Sequence, residues 1–295
     1  MMRDFIAEFK DELIRKDTNK NTKASYISDI SKYTQWFKET YGKDFDGKIL
    51  EQDARGYKSY LLNIKHLKPS SINRKMNALK AFNKYLCAIG SGREAEIELV
   101  NIADHEERNI KIIDKNSFNR LKRCFYDEKN QRDIAVFETL ANTGIRASEL
   151  ISLELHDIIL TEKNGEKNYS YVKIREGKGE RYREVPLNSV TKKAINDYLK
   201  VRPKVNHNKL FVGQRGSLTR VTLNKILIKY CNFAQIEQIS PHILRHTFST
   251  RLIKEGVDTV TVSRLLGHSS VKITTDFYVN TSREDKINAV ELLEK

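Results

Sequence analysis

Cysteine is scarce in this chain. Cys87, Cys124 and Cys231 are the three present in 295 residues, far apart and without a C-x-x-C pair. That excludes a disulfide framework and a Cys-based zinc site, and reads as reduced packing residues of a cytosolic protein. Long apolar runs are missing as well. No stretch approaches the ~18 apolar residues of a transmembrane helix, so no membrane partner is expected. The opening residues, MMRDFIAEFKDELIRK, carry acids and no apolar core, which argues against a signal peptide. Internal repeats and low-complexity segments are absent. The remaining composition, 39% hydrophobic and 31% charged, is that of a globular protein, and the length suffices for two domains.

Negative charge is the minority sign. Lys and Arg total 53 against 39 Asp and Glu, a formal net charge of +14, with a pI near 9.5. A surplus of this size favours a polyanionic partner, nucleic acid first.

One stretch, Ser240 to Tyr278, concentrates reactive side chains: SPHILRHTFSTRLIKEGVDTVTVSRLLGHSSVKITTDFY. Ser240 can cap a helix and Pro241 suits its first turn. Ile243, Leu244, Thr247, Phe248, Leu252 and Ile253 recur near helical spacing up to Gly256. His242 and Arg245, three apart, project from one face of that helix. A second segment, Thr259 to Leu266, stops at Gly267, with His268 in the turn and Tyr278 beyond. Singly, each group has an ordinary reading: a surface histidine, a solvated arginine, a packed tyrosine. Together they suit attack on a phosphodiester, with a phenol as nucleophile, a guanidinium on the phosphate oxygens and an imidazole moving protons.

The coupling of PHILRHTFSTRLIKEG to LLGHSSVKITTDFY resembles the signature of the tyrosine recombinases, the phage integrase family. The resemblance implies a mostly α fold with a small antiparallel β-sheet: an N-terminal helical core-binding domain over residues 1–100, a linker over 101–112, and an α+β catalytic domain over 113–295. It also implies a bacterial, cytoplasmic, nucleoid-associated enzyme.

The residues upstream read consistently. Phe5, Phe9, Leu13 and Ile14 predict a first amphipathic helix. Tyr26, Ile30, Tyr33, Phe37 and Tyr41 predict a second from about Thr22 to Tyr41, stopped by Gly42. Trp36 is expected to pack in the same domain. Asp53 to Ile64 predicts a third. A fourth begins at Ser70 or Ser71, with Ile72, Met76, Leu79, Phe82, Leu86 and Ile89 inward and Gly90 at its end. Its other face is expected to carry Arg74, Lys75, Lys80 and Lys84, with no acid between Ser70 and Gly90, as phosphate contacts. The resemblance places this helix, and the second with Lys23, against DNA. From Glu94 to Asp114 periodicity fails, which reads as a linker.

Helices over Lys115–Phe125 and Arg132–Asn142 lead into NTGIRASELISL. Arg146 and Glu149 read from spacing as a helix-surface pair; by resemblance, T-G-I-R-A-S-E-L carries the first catalytic arginine. Ile158–Leu160, Tyr169–Ile174 and Tyr182–Leu187 predict strands, the last two joined across EGKGER as a hairpin. Lys178 at its tip is by spacing a solvated loop lysine and by resemblance the catalytic lysine. Helices follow over Ser189–Val201 and Thr219–Phe233. Arg215, Arg220, Lys225 and Lys229 make this stretch a second candidate phosphate surface. After Tyr278, Ser282 and Asp285 resemble a capping box ahead of Ile287, Val290 and Leu293 on one stripe.

The resemblance implies that Tyr278 attacks the scissile phosphate, that Arg146, Arg245 and His268 stabilise its charge, that Lys178 protonates the leaving oxygen and that His242 takes the phenol proton. His246 also matches the pattern, with a structural role. The link conserves bond energy, so no ATP or other cofactor is required, and no metal-ligand spacing accompanies these residues. The implied partners are double-stranded DNA with inverted-repeat core sites, three further copies in a tetramer on two such sites, and possible accessory proteins. Two alternatives use the same residues differently: a type IB topoisomerase-like enzyme, and a sequence-specific DNA-binding regulator in which Tyr278 has no role.

Overall fold

The computed structural model describes residues 4–101, 111–160, 170–175, 182–214 and 216–267. The chain forms two compact units, Met1–Glu107 and Arg108–Lys295. As expected, it is mostly helical with a small antiparallel sheet.

The first unit is built from four helices. In α1, Phe5–Arg15, the Asp4 carboxylate accepts from the Ile6 and Ala7 amides and so closes the helix start. α2, Lys20–Tyr41, is capped by Asn19 and ends at left-handed Gly42. α3, Glu51–Ser59, continues into a π-helical turn over Tyr60–Ile64. α4, Pro69–Ala88, begins at the proline itself, one residue before the earliest predicted start. An aromatic cluster fills the centre: the Tyr33 ring lies 5.2 Å from Tyr57 and 5.8 Å from Trp36. Ile72, Met76, Leu79, Phe82 and Leu86 of α4 are each buried against it.

Three expectations here need correction. Ile14 is half exposed, because Phe9 and Leu13, four apart, take the inward positions and the next residue turns about 100° away. Lys75 is not on an outer face. It is 8% exposed, and its ammonium donates to Asp29 of α2 at 2.8 Å. Arg74 donates to the same carboxylate and to Ser25. The acid missing from α4 is supplied by α2. Finally, the first part of the expected linker is packed. Ile97 is buried in the N-terminal core, Asn73 exchanges two hydrogen bonds with the Val100 backbone at 2.9 and 2.7 Å, and Lys58 pairs with Glu98 at 2.8 Å.

The second unit contains α5 (Lys115–Asp127), α6 (Gln131–Thr143), the short α7 (Ala147–Ser152), α8 (Ser189–Val201), α9 (Arg220–Phe233), α10 (Pro241–Lys254) and α11 (Thr259–Leu266). α6 is its axis: every residue from Asp133 to Ala141 is buried, with α8 and α10 packed along it. Phe125 stacks between Phe137 and Tyr230, at 4.5 and 3.7 Å between ring centres. Strands β1 (Ile158–Ile159), β2 (Tyr171–Arg175) and β3 (Tyr182–Pro186) form one antiparallel sheet in that order, with Val172 opposite Val185. A small ribbon pairs β4 (Val212–Gly213) with β5 (Gly216–Ser217). The β2–β3 pairing closes as far as Arg175 opposite Tyr182, as the hairpin reading expects.

Candidate active site

The site is assembled around two glycine turns. α6 ends at Gly144, whose φ is +62°, and a Cβ there would meet Phe248 at 2.4 Å and Leu266 at 2.8 Å. Only glycine allows both the left-handed backbone and this approach to α10 and α11. The chain then turns into α7 with Arg146 at the N-cap. Glu149, three residues on, reaches back to the Arg146 amide at 2.7 Å and to its Nη1 at 2.7 Å. The predicted pair exists, but it is not a solvated surface pair, since the Glu149 side chain is 13% exposed.

α10 starts as the sequence indicates, with the Ser240 hydroxyl accepting from the Ile243 amide and Pro241 in the first turn. Arg245, one turn in, is 6% exposed. Its Nη1 donates to Gly144 O at 2.7 Å and its Nη2 to Leu266 O at 2.8 Å. α11 ends at the second turn, Gly267, with φ +66°. Three guanidiniums meet its last carbonyls. Arg183 Nε donates to Leu265 O at 3.1 Å, Arg245 to Leu266 O, and Arg146 Nη2 to Gly267 O at 2.9 Å. The end of a helix leaves carbonyls without partners and carries partial negative charge, so cations are favoured there. Arg146 and Arg245, remote in sequence, are thereby brought to one turn, immediately before His268.

His242 is exposed at the start of α10. Desolvation of its ring, then the guanidiniums of Arg220, Arg245 and Arg146, hold it below the ordinary imidazole range. His246, one turn on, is lowered by burial first and then by His242 and Arg245. Both imidazoles are biased toward the neutral form, which can accept a proton. Burial alone would raise the Glu149 carboxyl. Hydrogen bonds and charge from Arg183 and Arg146 outweigh it and leave the group below the usual carboxylate range.

The structure thus brings Arg146, His242 and Arg245 together. Lys178, His268, Tyr278, Arg215 and the tail stripe lie outside the described residues. Of the predicted phosphate contacts, Lys80, Lys84, Arg220 and Lys225 are exposed and Lys23 is partly so. Lys229 is occupied by Glu128 at 2.8 Å. Sequence reasoning missed Arg183, which is in phase with the buried Val185 of its strand and so points inward. Among the described residues, no group of three or more His, Cys, Asp or Glu is placed to hold a metal, and no helix is long and apolar enough to cross a membrane.

Paired arginines at one turn, with two imidazoles of lowered pKa on the helix beside it, suit a class of protein that handles phosphodiesters. Comparison with known proteins gives the particular family. Residues 111–285 match the phage integrase family and residues 5–90 match the phage integrase N-terminal SAM-like domain. A TnP I resolvase of Bacillus thuringiensis is 32% identical over 298 residues, covering 98% of this chain and 100% of the relative. A tyrosine recombinase XerC of Pediococcus pentosaceus is 29% identical, covering 95% and 94%. Among solved structures, the Tn1549 transposon integrase in complex with transposon right end DNA superposes with a TM-score of 0.72 at 22% identity, covering 98% of this chain and 99% of the other. The XerH recombinase in a post-cleavage complex with palindromic difH gives 0.71 at 21%, covering 92% and 80%. At these identities the structures speak for the fold. The chain belongs to the phage integrase family. It is a site-specific tyrosine recombinase that cuts and rejoins DNA, and neither the topoisomerase nor the regulator alternative is favoured.

Proposed function

We propose that Tyr278 attacks the scissile phosphate and forms a 3′-phosphotyrosyl link while a 5′-hydroxyl leaves. Arg146 and Arg245 hold the non-bridging oxygens, where preorganised donors act most strongly on transition-state charge. His268 adds a hydrogen bond there. His242 accepts the phenol proton and Lys178 protonates the 5′-oxygen. Attack of the freed 5′-hydroxyl of a second strand on the link reseals DNA, so two rounds pass through a Holliday junction without an external energy source. The observation that carries this reading is the meeting of Arg146 and Arg245 on consecutive carbonyls at the turn that leads to His268.

In this reading both domains, 1–100 and 113–295, contact the duplex, with 101–112 as the linker between them. Exposed Lys80 and Lys84 of α4, with Lys23, face the phosphates from one domain. Arg215, Arg220 and Lys225 face them from the other. Four copies act on two inverted-repeat core sites in the bacterial cytoplasm, with accessory proteins where the site requires them. The tail helix with Ile287, Val290 and Leu293 docks on a neighbouring copy. The substrate is a mobile element or replicon dimer undergoing integration, excision or resolution; the near full-length match to a resolvase supports the last.

The test is Tyr278→Phe. It is expected to abolish covalent protein–DNA adducts on a nicked suicide duplex carrying the site while leaving site affinity nearly unchanged. Adduct at the wild-type yield rejects Tyr278 as nucleophile.

A further inference from the structure

Arg183 has no part in the reaction as described, yet it is the side chain that joins the pieces of the site. It lies on β3, just after the hairpin that carries Lys178, and its side chain is 10% exposed. Its Nη1 and Nη2 donate to the two oxygens of Glu149 at 3.2 and 2.8 Å, and its Nε donates to Leu265 O at 3.1 Å. A Cβ on Gly267 would stand 2.6 Å from its Nη1 and 2.7 Å from its Cζ. The guanidinium therefore lies flat against the backbone of the turn before His268, where no larger residue leaves room for it.

We infer that Arg183 is a positioning residue for strand cleavage, acting through Glu149 on Arg146; this rests on the assignment of Arg146 to the scissile phosphate. The argument is one of charge and geometry. Glu149 is a largely covered carboxylate, its side chain 13% exposed, shared by two guanidiniums, so the trio of Arg146, Arg183 and Glu149 carries a net +1. Arg146 spends one Nη on Glu149 and the other on Gly267 O. Without Arg183 the carboxylate has Arg146 as its remaining side-chain partner. A largely covered carboxylate left with a single guanidinium favours a two-pronged, neutral pair. Arg146 would then turn toward Glu149 and away from the phosphate, and the trio's positive charge would vanish. The same loss removes the tether between the lysine hairpin and the end of α11. Arg183 thus keeps Arg146 charged in effect and fixed in direction, and holds two catalytic segments in register.

Lysine cannot replace it, because one ammonium cannot span both carboxylate oxygens and the Leu265 carbonyl in one plane. That separates positioning from simple charge. The experiment uses the full chain with Arg183→Ala, Arg183→Lys, Arg146→Ala and the Arg146→Ala/Arg183→Ala double variant. Single-turnover cleavage of a suicide duplex is followed against protein concentration, with a melting curve for each. Arg183→Ala is expected to lower the saturating cleavage rate by about 100-fold, the scale of a small misplacement of a catalytic group. The half-saturating concentration should stay within about threefold of wild type, a split a general loss of folding does not produce. Arg183→Lys, which retains the charge beside Glu149, is expected to melt like wild type and still lose at least about tenfold in rate. The double variant should be no more than about threefold slower than Arg146→Ala, because Arg183 acts through the residue already removed.

Wild-type cleavage by Arg183→Lys, or losses that multiply in the double variant, overturn the inference. Wild-type cleavage by Arg146→Ala instead overturns the assignment of Arg146, whatever Arg183 does. If Arg183→Ala melts below the assay temperature, the Arg183→Lys rate decides.

Discussion

His242 is a residue whose charge is set by its neighbours. Partial desolvation of the ring, then the cations Arg220, Arg245 and Arg146, disfavour a proton on it. The neutral ring is the form that accepts the phenol proton, so the proposed mechanism gains from a lowered value. The sign follows directly. Cleavage should be slow where His242 is protonated and rise with pH to a plateau, with its midpoint below the ordinary 6.5. Arg220→Gln removes the largest charge contribution, so the midpoint should move up toward the ordinary value, at saturating protein to offset any lost affinity. Single-turnover rates across pH make the measurement. A wild-type midpoint at or above 6.5, or no shift in Arg220→Gln, removes His242 from the role of base. Arg245 illustrates another residue-scale point. Its charge is buried, but Nη1 and Nη2 donate to the Gly144 and Leu266 carbonyls, so its direction is fixed before DNA arrives.

At the scale of elements, the turn between α6 and α7 positions chemistry through packing. Gly144 and Gly42 both end helices with nearly the same left-handed φ, +62° and +67°. Around Gly42 a Cβ meets nothing within 4 Å, whereas at Gly144 it strikes Phe248 and Leu266. Gly42→Ala should therefore cost the backbone term alone, about 1–2 kcal/mol. Gly144→Ala should add an overpacking term of about 1–3 kcal/mol. Because Gly144 O also anchors Arg245, Gly144→Ala should slow cleavage while Gly42→Ala should not. Denaturant unfolding with a cleavage assay on both variants checks this. Equal stability losses would mean that α10 and α11 yield freely at this turn. The end of α11 follows the same logic, with three guanidiniums replacing the water that would otherwise meet its carbonyls.

For the whole molecule, a net charge of +14 raises the question of which cations face DNA and which hold the fold. Lys80 and Lys84 are exposed, whereas Lys75 and Arg74 answer the buried Asp29. Each phosphate contact contributes about 0.9 to the slope of log affinity against log salt. Lys80→Ala/Lys84→Ala should thus flatten that slope by about 2 with little change in melting. Asp29→Asn should act the other way. It leaves a buried ammonium without its charge partner, a loss of about 3–5 kcal/mol, and should lower the melting of the N-terminal unit. Salt-dependent binding and melting curves on both variants separate the two roles. A destabilised Lys80→Ala/Lys84→Ala variant with an unchanged slope would reverse the assignment.

Much of this protein was legible before any coordinates. Helix ends followed from Ser240, Gly42 and Gly267, because capping needs a residue and its neighbours within one turn. The hairpin around Lys178 followed from its flanking strands, and the Arg146, His242 and Arg245 constellation from motif order. What lay beyond reach depended on which element covers which. The spacing of α4 defines an inner stripe, but whether Lys75 at its margin meets water or protein depends on where α2 puts Asp29. The segment after Glu94 has no periodicity, yet Glu98 and Val100 find partners because Lys58 and Asn73 stand beside them in space. Arg183 and Glu149 are far apart in the chain and meet only once β3, α7 and the end of α11 are packed. Local rules decide how a segment begins and ends, while long-range packing decides which charges are buried together, and there this site acquires its rigidity.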